Sequence, residues 1–197
     1  HFHCLSPIFP SIPSWDMPHP KEILKLCESP KCFTHPFEYR SLFSEILHSF
    51  PDAIPCFTNG EHSGFAFSVG NQTFAFRHQN SATILTVELQ GIFQCLVKIP
   101  PPSPQSQYFL IIADSLPTLS SISNVHSFHP LVTRVQSVHT FLAASSSIPL
   151  SVTFIWVPSH RGIQGNEAVD TASKAATNFP LIKANFFPII SDLTLFI

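Results

Sequence analysis

The chain has 197 residues, 44% of them hydrophobic, and a mean hydropathy of +0.22, enough for one domain of ordinary size plus a flanking segment. Charged residues make up only 11%, and the formal net charge of −2 excludes nucleic-acid binding through overall positive charge; such a contact needs a local patch or bound cations. No apolar run reaches the ~18 residues of a membrane-spanning helix, so no membrane partner is expected. The five cysteines, Cys4, Cys27, Cys32, Cys56 and Cys95, are odd in number and too sparse for a disulfide scaffold, and reduced thiols are the default. With no export signal, an intracellular setting is expected. The chain starts at His1 without an initiator Met and reads as a fragment.

Residues 1–51 are rich in Pro and His and weakly periodic. They read as a linker with short helices near Lys21–Cys27 and Tyr39–Phe50. Within them Cys27, Cys32 and His35 make a C-x4-C-x2-H grouping that fits no standard zinc finger. From Ile54 the texture changes. Ile54–Asn59 reads as a strand, with Pro55 tolerated near its start. Gly64–Val69 and Thr73–Arg77 alternate apolar and polar residues around a Gly70-Asn71 turn, which predicts a three-stranded antiparallel meander. Leu85, Leu89, Ile92, Phe93 and Leu96 then form a helical stripe, stopped by the prolines around Pro100–Pro104.

Tyr108–Ala113 (YFLIIA) is continuously apolar, as in a strand buried on both faces. A brief helix follows, with Ser115 as cap and Pro117 in its first turn. His129–Ala144 carries Leu131, Val135, Val138 and Leu142 at helical spacing, Ser151–Val157 reads as a strand, and Asn166–Thr177 as a helix with Ala168, Ala172, Ala175 and Ala176 on one face. The predicted fold is α/β: a five-stranded mixed sheet, three antiparallel strands then two parallel, flanked by helices. The domain spans residues 52–178, with 179–197 as a C-terminal tail.

Acidic residues are few, so their positions carry information. Asp114 follows a buried strand, at the strand end where ligands of such sheets gather. Glu88 sits between Val87 and Leu89 on the apolar helix, and Asp170 falls in the first turns of the last helix. Three carboxylates from separate elements repel one another unless a cation joins them, and hard oxygen ligands suit Mg²⁺ or Mn²⁺. Taken singly, the two aspartates also fit plain helix-terminus roles.

The stretch Trp156–Asp170, WVPSHRGIQGNEAVD, resembles the type 1 ribonuclease H domain, most closely that of non-LTR (LINE-type) retrotransposon polyproteins. FTNGEHSG at Phe57–Gly64, TVELQGI at Thr86–Ile92 and IADSLPTL at Ile112–Leu119 match further motifs in the same order, and the lead-in from Ile12 and the terminal PIISDLTLFI look like the flanks of such domains. The resemblance implies a ribonuclease H-like fold and hydrolysis of the RNA strand of RNA–DNA hybrids with two Mg²⁺ (or Mn²⁺) ions, next to a reverse transcriptase in the parent element. It implies Glu88, Asp114 and Asp170 as catalytic metal-binding carboxylates, His160 as the histidine assisting proton transfer and product release, and Asn166 as a substrate contact. Selection of RNA would rest on its 2′-OH.

One position departs from the pattern. Where the family has T-D-G-S at the end of its first strand, this chain has Thr58-Asn59-Gly60-Glu61, so the metal position that bridges both ions is Asn59, an amide without formal charge. Impaired turnover is expected, and the alternative is a non-catalytic hybrid- or RNA-binding remnant. On an extended strand Glu61 projects to the same face as residue 59 and would return a negative charge nearby.

Overall fold

The computed structural model describes residues 19–100, 107–144 and 150–180; the Ile12 lead-in, the terminal PIISDLTLFI and the prolines beyond Pro100 lie outside the described residues. Its centre is a mixed sheet. Strands β1 (Lys21–Ile23), β2 (Ala53–Glu61), β3 (Gly64–Val69), β4 (Gln72–Arg77), β5 (Tyr108–Ala113) and β6 (Ser151–Trp156) lie in the order β1-β6-β5-β2-β3-β4. β2, β3 and β4 form the expected antiparallel meander, while β5 and β6 run parallel to β2. Pro55 is accommodated because β2 pairs with β3 only from Thr58 onward, leaving the missing N–H on an unpaired edge. The sheet has one strand more than the five predicted: β1 pairs in parallel with the outer edge of β6.

Helices α1 (Pro36–His48), α2 (Ile84–Lys98), α3 (Leu116–Ser123), α4 (Pro130–Ala144) and α5 (Gln164–Ala176) cover the sheet. β5 shows why two layers are needed, since its side chains alternate between faces. Phe109 and Ile111 enter a core with Ile92, Leu96, Val135 and Phe154 from α2, α4 and β6. Leu110 and Ile112 enter a second core with Leu26, Tyr39, Phe43, Ile46 and Ile155. Residues 19–51, expected to be a linker, therefore supply the cover of the second face. The helix expected at Lys21–Cys27 is instead strand β1 followed by a 3-10 turn at Lys25–Glu28; the exposed edge of β6 offers a ladder that a short amphipathic segment takes in preference to isolated helix. The helix expected at Tyr39–Phe50 starts three residues earlier, where Pro36 is at its first position and the His35 ring accepts from the Phe37 amide at 3.2 Å. Cys27 and Cys32, the partners of His35 in the sequence grouping, are exposed free thiols.

Two details of the later helices also differ from expectation. Ser115 occupies the cap position of α3, but its hydroxyl bonds to the Thr118 hydroxyl at 2.7 Å and caps no amide. The buried positions of α5 are Asn166, Val169, Ser173 and Ala176, whereas Ala168 and Ala175 face out. Polar side chains hold two of the inward positions because they have partners there, as the site shows. Among the described residues no helix is long and apolar enough to cross a membrane.

Candidate active site at the carboxyl ends of the central strands

β2 and β5 are parallel neighbours, with Thr58 opposite Ala113. Asn59, still within β2, and Asp114, the first residue past β5, therefore lie side by side toward the carboxyl ends of these strands, where open α/β sheets gather ligands. The Asn59 amide donates toward both Asp114 oxygens, at 3.3 Å each. The indole of Trp156, at the end of β6, donates to the Asp114 carbonyl at 3.1 Å and fixes the backbone there.

Two glycines bring the helices close. A Cβ on Gly60 would lie 2.7 Å from the Glu88 backbone nitrogen, and one on Gly64 would lie 2.3 Å from the Ser173 carbonyl oxygen. Only side chains without a Cβ let α2 and α5 approach the meander this tightly. α2 thereby places Glu88 beside the Gly60 amide, which bonds to its carboxyl. α5 brings in three residues on one side. The Ser173 hydroxyl reaches Asn59 Oδ1 at 2.8 Å, Asn166 Nδ2 donates to Asp114 Oδ2 at 3.1 Å, and Asp170 faces His160 Nδ1 at 3.8 Å. α5 begins at Gln164, two residues earlier than predicted. Asp170 is therefore well inside the helix, and the helix-terminus dipole is a weaker reason for its presence than these neighbours.

The electrostatics bear the mark of crowded carboxylates. Glu88 is only 6% exposed and its Oε2 is buried without a hydrogen-bond partner. Burial first, then the charges of Asp114 and Glu61, push it up to about 8, against the opposing Gly60 bond. Burial also raises Asp114, helped by the Asp170 charge and opposed chiefly by the Asn166 bond. Lys174 pairs with Asp170 Oδ2 at 2.7 Å, and that bond raises the lysine. The Glu61 carboxylate pairs with His62 at 3.1 Å, and its charge adds a small upward push on Glu88.

Glu88, Asp114 and Asp170 thus lie in one region of the molecule, with Asn59 bonded to Asp114 and His160 on the exposed loop at the rim. His160 has a left-handed backbone, φ 56°, sparsely allowed for a residue with a Cβ and held by the tight turn into α5. Asn166, the expected substrate contact, has its side-chain Nδ2 on Asp114 and its Oδ1 buried without a hydrogen-bond partner. It is 1% exposed, and its amide orients Asp114 from within the protein. Ser173 was not singled out in the sequence; a lone serine on a helix has no signature, and only its spacing of three from Asp170 and seven from Asn166 marks it as inward-facing.

A divalent cation suits this donor set in two respects: the oxygens are hard, and the Glu88 Oε2 atom is buried without a hydrogen-bond partner. Among the described residues, however, no three His, Cys, Asp or Glu side chains converge tightly enough to hold a metal. N–H donors of Asn59 and Asn166 face Asp114, and the Lys174 ammonium faces Asp170.

The sequence matches the family model for RNase H over residues 49–178, a span that contains every residue of this site. No curated protein matches the chain. With well over half its length under that match and a mixed sheet of the corresponding kind, the chain belongs to the ribonuclease H family.

Proposed function

We propose that this domain binds RNA–DNA hybrids, that it descends from the ribonuclease H of a LINE-type retrotransposon polyprotein that also carries a reverse transcriptase, and that Asn59 impairs its hydrolysis of the RNA strand. The observation that carries the reading is the grouping around Asp114, where Asn59 of β2 bonds to its carboxylate and Glu88 of α2 and Asp170 of α5 lie near enough for the carboxylate charges to act on one another. Glu88, Asp114 and Asp170 would hold Mg²⁺ or Mn²⁺ through carboxylate oxygens and Asn59 through its carbonyl oxygen. Bound there, two ions supply an activated water and charge stabilisation of the leaving oxygen in an in-line displacement.

The chain's own residues set the cost. Asn59 now turns its N–H₂ toward Asp114, because an ionised carboxylate attracts a donor. Offering Oδ1 instead requires the amide to turn over, and the Ser173 hydroxyl, which also bonds the Asp170 carbonyl at 2.9 Å, then accepts from the amide while donating to that carbonyl. Asn166 and Trp156 hold Asp114 in place throughout. His160, with its ring facing Asp170 and its edge in solvent, is placed to receive and release a proton at the rim.

Losing one formal charge from a metal site costs several kcal/mol, which lowers turnover by about 10²- to 10⁴-fold at a factor of ten per ~1.36 kcal/mol. The test is a Mn²⁺ and Mg²⁺ titration of cleavage of a labelled RNA–DNA duplex by the wild type and by Asn59→Asp. Cleavage is expected to rise by that factor in the variant and to vanish again in Asn59→Asp/Asp114→Asn. Equal rates in wild type and Asn59→Asp would refute the impairment. A loss on Glu61→Ala in the wild type would show that its charge substitutes in part for the missing acid. A second reading, a hybrid-binding remnant without hydrolysis, is favoured by the amide and ammonium donors already on Asp114 and Asp170; binding without cleavage in both proteins would select it.

A further inference from the structure

We propose that the surface formed by Lys31–Arg40 and the loop Ser159–Gly162 is a contact for unpaired nucleic acid, the single strand that runs off the end of the hybrid. The inference rests on the hybrid-binding reading and names a second part of the substrate.

These two segments are distant in sequence and tied together in space. Lys31 Nζ donates to the Ser159 hydroxyl at 2.9 Å, and Arg161 Nη2 donates to the Lys31 carbonyl at 2.5 Å. A Cβ on Gly162, where φ is +78°, would lie 3.2 Å from Arg40 Cδ. The same loop carries His160, whose ring faces Asp170, so the surface is continuous with the rim of the site.

Its chemistry is that of a single-strand platform. Lys31 and Arg161 donate to neutral oxygens, the Arg40 guanidinium lies over the Phe37 ring, and none of the three forms a salt bridge with a carboxylate among the described residues. Glu38 is the one acid within 31–40, and Glu167 accepts from the Gly162 amide at 2.7 Å, so the surface carries three positive charges against two negative. In a chain of net charge −2, this is where a phosphate backbone finds local attraction. Beside the cations stand two phenyl rings in solvent, Phe33 at 88% and Phe37 at 63% exposed, with the Arg40 guanidinium 5.9 Å from the Phe37 ring centroid. Exposed rings beside unneutralised cations stack bases and hold phosphates without regard to sequence. A duplex end hides its base faces within the stack; an unpaired extension presents them.

The test is fluorescence anisotropy of the full chain with a blunt RNA–DNA hybrid, the same hybrid bearing a single-stranded extension, and oligothymidylate, for wild type, Phe33→Ser/Phe37→Ser and Lys31→Gln/Arg40→Gln. All four substituted residues are exposed, and thermal melts matching the wild type will show that the fold is kept. The extension is expected to tighten wild-type binding by about 10-fold or more, and Phe33→Ser/Phe37→Ser to remove that gain while leaving the blunt hybrid bound as before. Lys31→Gln/Arg40→Gln should lower the slope of log K against log salt for oligothymidylate by about 1.4, at ~0.7 per phosphate. No gain from the extension, or a gain that survives loss of both rings, overturns the proposal. If the blunt hybrid fails to bind while oligothymidylate binds and depends on the rings, the hybrid reading falls and the single-strand surface stands. If no probe binds and the wild type self-associates until the rings are removed, the surface takes a second protein chain and the proposal is refuted.

Discussion

Replacing Glu88 by Gln should flatten the dependence of this domain's stability on pH, with the largest difference from the wild type at the alkaline end. The carboxyl is pushed up to about 8 from an ordinary 4.5, by burial first and by Asp114 second. A carboxyl with a raised folded-state pKa binds more protons folded than unfolded, so folding weakens as pH rises. Its contribution is intact below about pH 4.5, declines from there to about pH 8, and is constant above that. The separation corresponds to a loss on the order of 5 kcal/mol once Glu88 is fully ionised, and on the order of 3 kcal/mol at neutral pH. Burial also raises Asp114, which adds a loss of the same sign. Glutamine keeps an oxygen for the Gly60 amide but cannot ionise.

Urea denaturation in chelator, from about pH 5 to about pH 9, should therefore show wild-type stability falling by several kcal/mol and Glu88→Gln falling much less. Millimolar Mn²⁺ should restore the wild type at the alkaline end, because a cation offsets the carboxylate charges, and should do little for the variant. Parallel curves for the two proteins across this range would show that Glu88 is not a strained, buried acid, and the electrostatic description of the site would fail with it.

Two further substitutions probe how the site is assembled. Gly64→Ala puts a methyl group 2.3 Å from the Ser173 carbonyl and 2.8 Å from the Thr177 nitrogen, and should cost about 1–3 kcal/mol by denaturation as α5 is forced away from β3; an unchanged midpoint would mean that α5 is not seated on the meander. Ser173→Ala leaves Asn59 Oδ1 without its donor and should cost about 1–3 kcal/mol, read as a melting temperature lower by several degrees. The exposed Thr171→Ala, on the same helix, should show no comparable loss; equal effects at the two positions would remove Ser173 from the site.

Much of this protein was legible before its structure. The 2.0-residue period of Gly64–Val69 and Thr73–Arg77 gives the meander, and the unbroken apolar run Tyr108–Ala113 already requires cover on both faces, since a strand with no polar side has none to leave in water. His160 and Asp170 lie within the WVPSH and GNEAVD segments, and Glu88 and Asp114 are conspicuous because acids are scarce in this chain. The identity of the cover on the second face was not legible. Residues 19–51 have weak periodicity because β1 is only three residues long and α1 buries only Tyr39, Phe43 and Ile46. Such a segment is ordered by docking against β5 and β6, not by its own propensity.

The sequence alone determined which acids exist, that Asn59 stands where the family has one more, and that the elements follow one another as strand and helix, because periodicity and residue chemistry are local properties. Tertiary structure decided the rest: that Asn59 donates to Asp114, that Asn166 faces inward to hold that same carboxylate, and that Lys31 and Arg161, 130 positions apart, join one surface. The physical reason is distance. Hydrogen bonds and carboxylate repulsion act over a few ångströms, and only the parallel register of β2 with β5 and the close approach at Gly60 and Gly64 bring these groups within that range.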